Sequence, residues 1–473
     1  MELQPILDLE RETGGAKAGA GEAYAVPASA FTENACASDT LEAALAAHDW
    51  VEIPYVPFPL LLDRPILLRS GVRLTVHPET VLRMMDGCGG CMVRNEHVFD
   101  GRQQPCPEEK NDHDMLVEGG VWEYAGSGMS PKDPSPEIQS IGLHREVLID
   151  GEGRETNVAG SEGGGGALLG VFLFVNARNF TVRRLTVRRC DFYGILVAGG
   201  DHFVIEDIEF DRNKMDGVHV NGPSSYGLIQ RMKGKTGDDF VALNAWDWAL
   251  SAISFGAIHH ILVQDIDCTG DEIRLLPGRK TYKDGRKTEC PIHDCLYRRV
   301  HNAYCAKLYQ QPNCMNDLNG ENDKSDIPGE IRGVLFQDVA LDALQSTGLG
   351  EVSVSALFEI CADCTDITFE NIRVGVTKEE FRAAGMRLVE VGTKSSTWKR
   401  GHKDPKMWAE LFDVDLVCTA DDLTFRNVTF AGVPCREKDV LVGAHALTVN
   451  PDYPNTTPKG GTGKGILGKI TIV

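Results

Sequence analysis

Three aspartates near the middle of the chain carry the first chemical signal. Asn213-Lys-Met-Asp216-Gly217-Val218-His219-Val220 is followed by Lys235-Thr236-Gly237-Asp238-Asp239-Phe240-Val241-Ala242-Leu243, and Asp216 and Asp239 fall at the same phase of a repeated apolar pattern, with Asp238 beside them. Carboxylates gathered on one face are what hydrolysis of a glycosidic bond requires, because one must protonate the leaving oxygen while another activates water. If each repeat is one coil of a stacked sheet, these acids lie about 4.8 Å apart. Their mutual repulsion then calls for a shared proton, a metal ion or nearby cations.

The elements that would position them follow from the repeat. Phe180-x-Val182-x-x-Leu185-x-Val187 is followed by Phe203-x-Ile205-x-x-Ile208-x-Phe210, and the frame returns at Ile261, Cys295, Val334, Ile367 and Leu423, with a weak copy at Ile229/Met232. First positions are 23, 34, 39 and 33 residues apart for the pairs 180/203, 261/295, 295/334 and 334/367. That period, built on β-branched and aromatic residues at intervals of two, marks a solenoid. The predicted fold is all-β: a single-stranded right-handed parallel β-helix with an N-terminal capping helix. Asn179, Asp207, Asp265, Asp338, Asn371 and Asn427 fit the bends between its sheets. The capping helix is expected at Asp39–Leu45, with Asp39 as its N-cap, and Ile66–Met85 reads as the first coil.

One domain is expected over 1–473, since a solenoid adds coils without adding domains. It divides into an N-terminal segment and cap at 1–50, coils over 51–445 and a tail with the last strand, Ile466–Val473, over 446–473. Asp86–Pro136, around one strand-like segment at Met115–Trp122, Glu155–Gly166 and the basic insertion within 279–294 read as excursions from coils, the insertion serving as a substrate flap or a solvated loop. Insertions of this length would narrow a groove toward a pocket, which favours exo-action.

Aligning the second half of each coil yields two columns. One runs Tyr193, Asp216, Asp239, Asp271, Tyr304. Its outward-facing neighbour runs Leu196, His219, Ala242, Arg274, Lys307. Together they describe a groove for a sugar chain: acids flanked by aromatic rings, a histidine and two cations. Trp246 and Trp248 offer faces for stacking on a sugar, and Asn244 lies beside them.

The formal charge of −21 argues against a nucleic-acid surface, which needs clustered basic residues. No segment is apolar and long enough to span a membrane, and no signal peptide is visible. Fourteen cysteines without an export signal point to reduced thiols and a cytoplasmic location. Cys88-x-x-Cys91, followed by His97, Cys106 and His113, and Cys361-x-x-Cys364 have the spacing of zinc half-sites. Small cysteines standing where Val or Ala would stand is the simpler reading, so neither metal nor cofactor is expected.

Asn213–Leu243 resembles the catalytic stretch of glycoside hydrolase family 28, the polygalacturonases and their relatives, whose pattern is Asn-Thr-Asp-Gly followed about one coil later by Gly-Asp-Asp-Cys-Val-Ala. Asp216 matches the lone aspartate, and the pair at Asp238 and Asp239 begins 22 residues later. The resemblance implies a right-handed parallel β-helix and hydrolysis with inversion. Asp238 would be the general acid, and Asp216 and Asp239 would hold and deprotonate the attacking water. The family's Gly-His-Gly falls at Gly270-Asp271-Glu272, so Asp271 replaces its histidine. The family's Arg-Ile-Lys falls at Lys307-Leu308-Tyr309, so one cation has become Tyr309 while Arg274 adds a guanidinium one coil earlier. Polygalacturonate is therefore expected to be a poor substrate. Two rival readings are a lyase with Ca²⁺ on Asp216, Asp239 and Asp271 and Arg274 or Lys307 as base, and a non-catalytic carbohydrate-binding or fibre β-helix.

Overall fold

A computed structural model describes residues 2–11, 19, 21–86, 88, 91–98, 107–124, 148–149, 155–156, 170–247, 254–269, 271–281, 287–309, 329–341, 356–392, 417–444 and 464–473. They form two compact units, one of residues 8–238 with 249–255, the other of residues 1–7, 239–248 and 256–473. Both are built from coils of right-handed parallel β-helix. Among the described residues no helix is long and apolar enough to cross a membrane.

In the first unit the long strands Arg73–Met84, His113–Glu123, Arg178–Arg188, Asp201–Asp211 and Ser224–Gly234 stack in parallel. The short strands Ile66–Leu68, Cys91–Asn95, Gly170–Val175, Tyr193–Ala198 and Val218–Asn221 form a second parallel stack. Val182, Ile205 and Ile229 occupy successive rungs and are fully buried. The weak copy of the frame has a packing cause. Gly227 stands opposite Phe203, and a Cβ there would come within 2.3 Å of the Phe203 ring.

The second unit repeats the design. Ile258–Asp267, Ile292–Ala303, Glu330–Gln337, Asp363–Glu370 and Val417–Arg426 stack in one sheet. Asp239–Asn244, Glu272–Leu276, Ala306–Tyr309, Ala356–Cys361, Arg387–Val391 and Val442–Ala444 stack in the other. Tyr297, Phe336, Phe369 and Phe425 form a pile of rings with centroids 5.2, 5.7 and 5.1 Å apart.

All six expected bend residues have left-handed backbone. The pattern is wider than Asn and Asp. The fifth position of every frame, counted from its first apolar residue, is left-handed: Arg184, Asp207, Arg231, Asp265, Arg299, Asp338, Asn371 and Asn427, with φ between 50 and 56°. The residue before each frame is left-handed too, from Asn179 and His202 to Asp366 and Asp422. A left-handed residue with a Cβ costs about 1–2 kcal/mol, and pairing between coils offsets part of it. Arg231 Nε donates to Asp207 Oδ1 at 2.7 Å, Arg299 Nε to Asp265 Oδ1 at 2.6 Å, and Asn371 Nδ2 to Asp338 Oδ1 at 2.9 Å.

Several boundaries differ from expectation. The helix runs Ser38–Ala47, and Asp39 lies in its first turn, not at the N-cap; there its carboxylate meets the positive helix end and pairs with Arg64. Ser38, Leu41, Ala44 and Leu45 are its buried residues. Ile66–Met85 is not the first coil, because Trp50–Ile53 and Leu60–Leu62 already pair with Arg73–Met84. Asp86–Pro136 is not one excursion: Cys91–Asn95 and His113–Glu123 are full rungs. The basic insertion opens as an antiparallel hairpin, Gly278–Thr281 with Lys287–Cys290, and the next rung begins at Ile292. The final strand is split into Lys464–Leu467 and Ile470–Ile472. Helices Lys378–Ala383 and Lys438–Leu441 were not foreseen. Most of Glu155–Gly166 and the tail over 445–463 lie outside the described residues.

Phe369, clasped between Phe336 and Phe425, should be among the most costly core positions. Phe369→Ala is expected to lower stability by about 3–5 kcal/mol, read as a shift of the urea-unfolding midpoint, while Val433→Ala, at a site 62% exposed, should leave it nearly unchanged.

Candidate active site

In the first unit, Asp216 lies two residues before the strand Val218–Asn221, with Gly217 between, and Asp238 closes the turn after Ser224–Gly234. The turn is tight: a Cβ on Gly237 would lie 2.2 Å from the Lys214 carbonyl oxygen, so glycine is required there. Thr236 Oγ1 donates to the Asp238 carbonyl at 3.0 Å, and Asn213 Nδ2 donates to the Asp216 carbonyl at 2.6 Å. These bonds bring carboxylate oxygens of Asp216 and Asp238 within 4.8 Å of each other. Asp216 is buried while Asp238 is partly open. His219 Nδ1 lies 2.5 Å from Asp216 Oδ2, and the Leu196↔His219 register of the outward column is as expected.

Asp239, bonded to Asp238, opens the strand Asp239–Asn244 of the second unit and is buried. Its Oδ2 pairs with Arg274 Nε at 2.9 Å. The outward column Ala242, Arg274, Lys307 is in register and continues through Glu359 and Glu390. The acidic column is corrected. A β-bulge after Asp239 places Glu272, not Asp271, opposite it; the extra residue, Phe240, is taken up by the bulge. Glu272 and Lys307 form a buried ion pair. The two cations anticipated for substrate are thus each held by an acid of this chain.

The remaining candidates separate. Asp271 is buried, and its carbonyl accepts the Tyr304 amide at 2.9 Å. Asn244 is buried in register with Leu276. Trp246 is buried against Gly278, where a Cβ would lie 2.3 Å from its own Cβ; it packs the unit and presents no open platform. Tyr309 ends its strand opposite Cys361, and its side chain lies outside the described residues, as do Trp248 and Gly270. Glu272, Glu359, Glu390 and Asn221 were missed. A charged residue alone in an apolar run, as in Leu357-Phe358-Glu359-Ile360 and Leu388-Val389-Glu390-Val391, was the signal for two of them.

Neither zinc half-site assembles among the described residues. His97 and His113 turn their Nδ1 atoms to Asp112 and Asp114 at 3.0 and 2.7 Å, and Cys106 lies outside the described residues. A hydrogen bond with Cys418, then burial, pushes the Cys361 thiol well above the usual range, and burial does the same to Cys364. Burial, reinforced by Asp271, likewise raises Cys268. These thiols stay protonated and serve as packing.

No protein-family model and no curated protein matches the sequence. Solved structures do. The polygalacturonase from Erwinia carotovora ssp. carotovora aligns with a TM-score of 0.52 at 14% identity, covering 92% of this chain and 99% of that one. The hyperthermoactive exopolygalacturonase from Thermotoga maritima aligns with a TM-score of 0.52 at 12% identity, covering 99% of this chain and 95% of that one. This chain has their fold. Within that fold, two buried acids of the second unit are paired with cations of the same unit, Asp239 with Arg274 and Glu272 with Lys307.

Removing one partner of such a pair strands the other in the interior. Lys307→Met is expected to cost about 3–5 kcal/mol, and adding Glu272→Leu should recover most of the loss. Urea denaturation of the single and double variants checks this; additive losses would show that the two residues do not act as a pair.

Proposed function

We propose that the protein is a glycoside hydrolase that cleaves a poly- or oligosaccharide by an inverting, aspartate-based mechanism. Asp238 is the general acid, and Asp216 with Asp239 holds and deprotonates the attacking water. The observation that carries this reading is the approach of the Asp216 and Asp238 carboxylates, one sealed and one open, on the fold of the polygalacturonases. The more open Asp238 can reach a leaving oxygen, and the buried Asp216 is shielded from competing solvent.

The substrate class follows from the cations. A uronate carboxylate needs an Arg or Lys able to turn toward it. Lys307 is engaged by Glu272 and Arg274 by Asp239, so a neutral sugar suits this groove better than polygalacturonate. Among uronate and neutral oligosaccharides, neutral substrates should be cleaved faster; polygalacturonate emerging as the best substrate would overturn the assignment of these cations.

General acid catalysis supplies about 10²–10⁴-fold in rate. Asp238→Asn should lose that much on natural linkages and markedly less on activated aryl glycosides, whose leaving groups need little protonation. Equal losses on both would move the acid role to another residue. Proton NMR of the first product formed should show the inverted anomer. Retention would exclude the single-displacement scheme, and an unsaturated product absorbing in the ultraviolet would identify a lyase instead.

A further inference from the structure

The strand Val218–Asn221 sends Val218 and Val220 to one face and His219 and Asn221 to the other. The polar cluster there is sealed: Asp216 is 4%, His219 2% and Asn221 0% exposed. The imidazole stands between two partners, with Nδ1 at 2.5 Å from Asp216 Oδ2 and Nε2 at 3.1 Å from the Asn221 amide nitrogen. An amide nitrogen only donates, so Nε2 accepts. In the neutral ring the proton then resides on Nδ1 and points at Asp216. The Tyr193 ring, its centroid 4.7 Å away and tilted by 52°, packs against the imidazole.

Resting on the hydrolase reading above, we propose that His219 is a positioning residue for the Asp216 carboxylate and that Asn221 sets its tautomer. The Nδ1–H bond pins Oδ2 and so fixes the orientation of the carboxylate that takes the water's proton. Because Nε2 is engaged by Asn221, His219 is not itself the base. In the step it serves, the water oxygen bonds to the anomeric carbon as a proton passes to Asp216. The glycosidic C–O bond breaks, and the leaving oxygen takes the proton of Asp238. Exchange with solvent then restores both carboxyl groups. Asn221 thereby acts at one remove, through the ring it faces, a role that neither the apolar frame nor the aspartate motif assigns.

Nitrogen-15 NMR of the imidazoles tests the tautomer without reference to activity, the His219 signals being those absent from His219→Asn. At neutral pH the wild-type protein should show Nδ1 protonated and Nε2 bare; a protonated Nε2 overturns the proposal. Asn221→Asp exchanges a donor for an acceptor and should draw a proton onto Nε2. In kinetics, His219→Asn keeps an N–H near Nδ1 and should retain kcat within about tenfold, whereas His219→Leu should lose about 10²-fold in kcat with KM little changed. Equal kcat in the two variants counts against positioning. Asp216→Asn separates the layers: wild-type turnover in that variant removes the hydrolytic role of Asp216, while the tautomer measurement still decides the hydrogen-bond arrangement.

Discussion

Every chemical column in this protein depends on the two left-handed corners that each coil repeats, one before the apolar frame and one at its fifth position. A parallel strand one residue out of step turns every side chain to the wrong face. The corners prevent that slip because they recur at the same place in each coil, whatever the length of the loops between. Frames 23 to 39 residues apart therefore still stack Val182 on Ile205, and Tyr297 on Phe336 and Phe369. The core and the site are read out from the same register.

Stacking in register brings an electrostatic constraint, since residues in one column stand about 4.8 Å apart and like charges there repel. The chain answers by pairing opposite signs. At the fifth-position corner Arg231 meets Asp207 and Arg299 meets Asp265. In the second unit, where Asp239 stacks on Glu272 and Arg274 on Lys307, opposite signs meet between neighbouring columns, Arg274 with Asp239 and Lys307 with Glu272. The first set is half exposed and adds little stability. The second is buried, so each member is needed mainly to keep the other from being stranded. That difference explains why cations which sequence alignment would assign to substrate belong first to the architecture.

The acids in the first unit are handled differently. The His219 imidazole, itself held by the Asn221 amide, orients the Asp216 carboxylate. Hydrogen bonding orients a carboxylate without cancelling its charge. That suits the proton-accepting role proposed for Asp216. Asp238, on a turn shaped by Gly237 and Thr236, keeps the partial exposure that its proposed role as proton donor needs.

The sequence by itself determined the solenoid, its apolar frame, the six Asn and Asp corners and, within each unit, the outward registers Leu196/His219 and Ala242/Arg274/Lys307, because period and alternation are local properties that a parallel stack must preserve. It also held signals that went unread, among them Thr377-Lys-Glu-Glu380, a capping box that starts the helix Lys378–Ala383. Only the tertiary structure decided that Glu272 and not Asp271 faces Asp239, since a bulge shifts register without altering spacing. It alone decided that Arg184, Arg231 and Arg299 turn left-handed corners, a conformation their residue type does not favour and neighbouring coils impose. The partners of Arg274 and Lys307 were likewise beyond a linear reading: residues 35 apart in sequence become neighbours only when the coils stack, and a cation's role depends on which acid it then meets.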